Sequence, residues 1–112
     1  MTIKYDTMGD VTIVIMPMDE LDASNSWEFK RDITPVLEGT TKIVFDLGRL
    51  RFLGSSGLGA LISCLRTMNA KGGDVKLCGM SKQVRTVFEL VRLHRIFDIH
   101  GTKEEAAHAF AH

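Results

Sequence analysis

Apolar positions along the chain alternate between two rhythms: short consecutive runs, and longer stretches spaced at three and four residues. "IKY" (3–5) predicts a short first strand, and "DVTIVIMP" (10–17) a stronger second one that stops where Pro17 removes a ladder donor. "MDELDASNSWEF" then supplies a turn and a helix start. Asn25 with Glu28 three residues on has the form of a capping box, with Asp22 and Ser24 as rival caps. Phe29, Ile33, Val36 and Leu37 give that helix an inward face. Pro35 is expected to kink or shorten its last turn, and Gly39 marks its exit.

"KIVFDL" (42–47) is apolar on consecutive positions, as a strand covered on both faces would be. Leu58, Leu61, Ile62, Leu65 and Met68 repeat at helical spacing until "KGG" (71–73) ends the pattern. "VKLC" (75–78) reads as a strand. Ser81 caps a helix with the inward stripe Val84, Val87, Phe88 and Val91. "IFDI" (96–99) is a last short strand, and Thr102 with Glu105 opens a final helix ending "HAFAH". The order β-β-α-β-α-β-α-β-α predicts an α/β fold. One domain over residues 1–112 would hold a mostly parallel, mixed sheet of four to five strands and about four helices.

Charge narrows the partners. Fourteen basic and fourteen acidic residues cancel, so neither nucleic acid nor an anionic membrane is favoured. The opening "MTIKYDTMGD" lacks the apolar run of a signal peptide, and no run approaches the ~18 residues a span requires. Cys64 and Cys78 lie in apolar segments without CxxC spacing. They read as buried free thiols of a reducing, cytoplasmic compartment.

The densest chemistry lies in "RLRFLGSSGLGAL" (49–61), where a strand hands over to a helix. An esterase elbow needs Gly-x-Ser-x-Gly. Ser55 has Leu53 two before it and Ser56 has Leu58 two after it, and none of His94, His100, His108 and His112 belongs to a base motif. Gly54 and Gly59 have the spacing of a P-loop, but Ala60 and Leu61 follow in place of lysine and a magnesium-binding hydroxyl. The dinucleotide fingerprint is absent as well. Two readings are left. In one, Ser55 or Ser56 simply caps the helix. In the other, a hydroxyl stands exposed at the C-terminal end of a parallel strand, at a helix terminus suited to an added phosphate.

"FDLGRLRFLGSSGLGAL", followed by "GGDVKLCGMS" and "VFELVRLHRIFDI", resembles the STAS domain, and within it the single-domain bacterial anti-sigma factor antagonists. The resemblance implies a non-enzymatic, cytoplasmic binding protein without a cofactor of its own; a monomer is the default expectation, with the oligomeric state open. Its partner would be an anti-sigma factor that is also a GHKL-type serine kinase. Phosphorylation of Ser55 would break the complex, and a metal-dependent serine phosphatase would restore it. Ser56, Gly57, Leu58 and Gly59 match the docking helix start and Asp22 the neighbouring loop, with Gly54 counted to the same partner-binding surface. Gly54 stands where the family's commonest pattern has Asp. A rival reading keeps the fold as a constitutive scaffold or accessory subunit of another signalling or lipid-transport complex.

Other candidates carry less. His108 and His112 are spaced for a metal on one helix face, without a third ligand. His94 reads as a solvated loop residue beside the short basic patch of Arg92 and Arg95. The methionines read as core filling. Trp27 is either packing or an exposed contact beside the serine loop.

Overall fold

A computed structural model of the chain describes residues 1–111; His112, the second histidine of the i, i+4 pair, lies outside them. The elements in chain order are β1 (Tyr5–Met8), β2 (Val11–Ile15), β3 (Glu20–Leu21), α1 (Ser26–Glu38), β4 (Lys42–Asp46) and β5 (Phe52–Leu53). They continue with α2 (Ser55–Ala70), β6 (Asp74–Cys78), α3 (Lys82–Leu90), a 3-10 turn (Leu93–Arg95), β7 (Asp98–His100) and α4 (Lys103–Ala109). Five strands form one mixed sheet in the order β1-β2-β4-β6-β7, with β1 antiparallel and the rest parallel. This is the expected α/β architecture. The sequence pattern did not anticipate the two-residue strands β3 and β5, which pair parallel as a separate ribbon.

Consecutive burial of Ile43, Val44 and Phe45 makes β4 the centre of the sheet, covered on both sides as its composition requires. Val14, Ile43, Phe45, Val75 and Leu77 meet the inward stripes of α1, α2 and α3 on one face. Burial of Phe29, Ile33 and Leu37 anchors α1 there, each side chain contributing roughly 1.5–3 kcal/mol. On the opposite face Val11, Ile13, Val44 and Cys78 pack against Ala106 of α4. Lys76 shares that face. Its ammonium lies 2.8 Å from Asp98 and 4.6 Å from the centre of the Phe110 ring, so the cation is paired where water is scarce.

Several local expectations are corrected. The first strand begins at Tyr5 instead of Ile3, because a two-residue turn with Gly9 at φ +63° pairs Met8 with Val11 and sets the register from there. Asn25 is the N-cap of α1 by position, but its side chain caps nothing. It accepts from the Asp22 N–H at 3.0 Å and donates to the Glu20 carbonyl at 2.7 Å, closing the preceding loop. Glu28 meets the Met1 amine instead of completing a capping box. The helix runs past Pro35 to Glu38, with Gly39 as its C-cap.

Val91 is exposed, outside α3, since Arg92 turns into the left-handed region (φ 61°, ψ 24°) and stops the helix. The last strand consequently starts at Asp98, later than "IFDI" suggests, with Phe97 buried ahead of it. Ser81 and Thr102 do cap their helices, accepting from Val84 N–H at 3.2 Å and Glu105 N–H at 3.1 Å.

Candidate functional site

The glycine-serine segment is positioned by the small ribbon. β3 and β5 pair Leu21 with Leu53, and the next residue stays in the ladder: Gly54 N–H donates to the Leu21 carbonyl at 2.9 Å. Held extended (φ −85°, ψ 174°), Gly54 is the N-cap of α2, and its carbonyl accepts the first helical bond from Leu58 at 3.0 Å. This corrects the expectation that Ser55 or Ser56 caps the helix. The ladder bond fixes the strand-to-helix change one residue earlier, so the serines are the first and second helical residues. Both are exposed, and neither hydroxyl makes a hydrogen bond within the described residues.

Asp22 lies directly against Gly54. A Cβ added at 54 would stand 3.2 Å from the Asp22 Cβ and 3.6 Å from the Phe52 ring, so a side chain there would need Asp22 to give slightly. The Asp22 carboxylate accepts from the Ser24 hydroxyl at 2.6 Å and the Ser24 N–H at 2.9 Å, which holds it below the usual carboxylate range. The loop and the start of α2 thus form one surface, bringing together Asp22, Gly54 and Ser55 from distant parts of the sequence.

Gly57 and Gly59 have different physical reasons. Gly57 is buried, and a Cβ there would run into the Leu21 carbonyl and come 2.8 Å from the Leu53 side chain; only glycine lets α2 press this close to the ribbon. Leu58 is half-buried against the main core. Gly59 is exposed with nothing within 4 Å of an added Cβ. A helical glycine costs about 1 kcal/mol relative to alanine, and no contact within the chain explains this one.

Two large aromatic residues on the elements next to this segment are exposed. Phe52 is the residue of β5 facing outward, and Trp27 projects from the first turn of α1 with the Arg31 guanidinium 5.3 Å from its ring centre. The period-two reading of "RFL" offers a signal for Phe52; the exposure of Trp27 is decided only by the tertiary structure. Elsewhere, Cys64 and Cys78 are buried, and burial pushes both thiols up to about 12. His94 is exposed in the 3-10 turn, and among the described residues no group of three or more His, Cys, Asp or Glu side chains could hold a metal ion. No helix of the described residues is long and apolar enough to cross a membrane.

The STAS domain family model matches residues 2–106, and the chain belongs to that family. An anti-sigma-B factor antagonist of Staphylococcus aureus is 27% identical over 88 residues, spanning 77% of this chain and 82% of that protein. The crystal structure of TM1081 from Thermotoga maritima superposes with a TM-score of 0.90 at 28% identity, covering 98% of this chain and 95% of the other. The fold is also that of the anti-sigma factor antagonist SpoIIAA. Its unphosphorylated form matches at a TM-score of 0.70 and 21% identity, covering 98% and 97% of the two chains, and its phosphorylated form at 0.70 and 23%, covering 97% and 99%.

Proposed function

We propose that this chain is an anti-sigma factor antagonist working by partner switching. In its bare form it binds a GHKL-type anti-sigma factor serine kinase through the surface around Ser55 and so frees the sigma factor. Phosphorylation of Ser55 ends the binding, and a metal-dependent phosphatase reverses it. Asp22, Gly54, Ser56, Gly57, Leu58 and Gly59 form the docking surface. The observation that carries this reading is the exposed Ser55 hydroxyl, engaged in no bond of the fold.

In the transfer, the Ser55 oxygen attacks the γ-phosphorus of the kinase's ATP. The bond to the β-γ bridging oxygen breaks, ADP leaves, and the hydroxyl proton passes to a base of the kinase. The product carries roughly −1.5 to −2 charges at neutral pH. At the start of α2 the monomer tolerates this, since the helix dipole favours an anion there by roughly 0.3–1 kcal/mol. Beneath a partner packed around a bare hydroxyl, an unpaired charge costs several kcal/mol, and each ~1.4 kcal/mol is a factor of ten in affinity. The switch therefore needs no rearrangement of the fold.

Incubation with the GHKL-type kinases of the source genome, ATP and Mg²⁺, followed by mass spectrometry, tests the reading. One phosphate at Ser55, absent from Ser55→Ala, supports it. Stable binding without added mass supports the constitutive scaffold, the reading to which Gly54 in place of the usual Asp is relevant.

A further inference from the structure

Resting on that docking surface, we infer that Trp27 and Phe52 are the apolar anchors on its two flanks, and that the kinase grips the chain by burying both aromatic side chains around Ser55. Trp27 is 71% exposed and Phe52 52% exposed, although each sits in a regular element whose other face is packed. Neither is needed to fill the core. Phe52 stands in β5, its ring 3.6 Å from where a Gly54 side chain would begin.

Trp27 belongs to the same surface by helix register. The Ser26 N–H donates to the Asp22 carbonyl at 2.9 Å, so α1 begins directly on the loop that touches Gly54. A small cavity of about 70 Å³ between α1 and α2 is lined by Lys30 and Thr34 on one side and Ser63 and Thr67 on the other. Lys30 and Thr34 follow Trp27 by three and seven residues, and Ser63 and Thr67 follow Gly59 by four and eight. One turn up the same seam, Trp27 therefore stands opposite Gly59, itself one turn below Ser55 on α2.

The indole is also held. Arg31 covers its ring, and that guanidinium is clamped to Asp32 by two bonds of 2.9 and 3.0 Å. A large apolar side chain already restricted in the free protein loses little entropy on docking, which is the property of an interface anchor.

Trp27 is the chain's only tryptophan, so a chain grown with 5-fluorotryptophan gives a single fluorine NMR signal that reports this site. Titration with a purified GHKL-type kinase of the source genome is expected to shift that signal, and to leave it unmoved in Ser55→Asp. Trp27→Ala and Phe52→Ala should each weaken binding by about tenfold to a hundredfold while melting like the parent. Binding that Ser55→Asp destroys but both alanine variants retain within about twofold overturns the anchors and leaves the switch standing. No binding by the unaltered chain to any of these kinases overturns both.

Discussion

The starts of α2 and α3 contrast sharply, although serine stands at each. At α3 the Ser81 hydroxyl accepts from the Val84 N–H and is part of the helix it opens. At α2 the cap is Gly54, which has no side chain, and the two serines that follow hold no bond of the fold. α4 repeats the α3 arrangement through Thr102. A hydroxyl that the fold uses cannot be covered or modified without cost to the monomer; one that the fold ignores can be. The difference separates a structural serine from a candidate regulatory one more clearly than residue type does.

The largest expected effect breaks the contrast at Ser55. Ser55→Asp should weaken binding to the kinase partner at least about a hundredfold, measured by titration calorimetry, while the melting temperature moves by no more than about 2 °C. Comparable loss of fold and binding would mean that Ser55 is structural after all. Next comes Gly57→Ala, where the new methyl meets the Leu21 carbonyl. Stability in urea should fall by about 2–4 kcal/mol.

The two helix starts are compared directly by alanine at each serine. Ser81→Ala should lose about 1 kcal/mol with its cap, whereas Ser55→Ala and Ser56→Ala should each stay within about 0.5 kcal/mol of the parent in the same urea titration. The smallest effect has the opposite sign. Gly59→Ala should gain about 0.5–1 kcal/mol, because that helical glycine meets no steric demand inside the chain. A loss there would reveal an internal role that the open space does not suggest.

Periodicity made the main elements legible. Consecutive apolar residues placed β4 at the centre, and helical spacing located α1, α2 and α3 with Phe29, Leu61 and Phe88 facing inward. Ser81 and Thr102 were readable as caps because capping is a contact between residues three apart. The two cap misreadings have different causes: the Asn25 side chain is taken up by loop bonds to Asp22 and Glu20 a few residues away, whereas Ser55 and Ser56 lose the cap to Gly54 through the long-range bond to Leu21. The ribbon of β3 and β5 is too short for any pattern to announce, yet it fixes where α2 begins.

What the amino-acid order determined unaided is the layering of the domain and the presence of paired hydroxyls at a strand-to-helix junction, because both follow from local spacing. Tertiary structure alone decided that Gly54 performs the capping, that Asp22 lies beside it, and that Trp27 remains in water. The first two outcomes depend on residues some thirty positions apart being brought together by the β3–β5 ribbon, and local preference has no means of registering a neighbour that distant; the third depends on what the rest of the fold leaves uncovered.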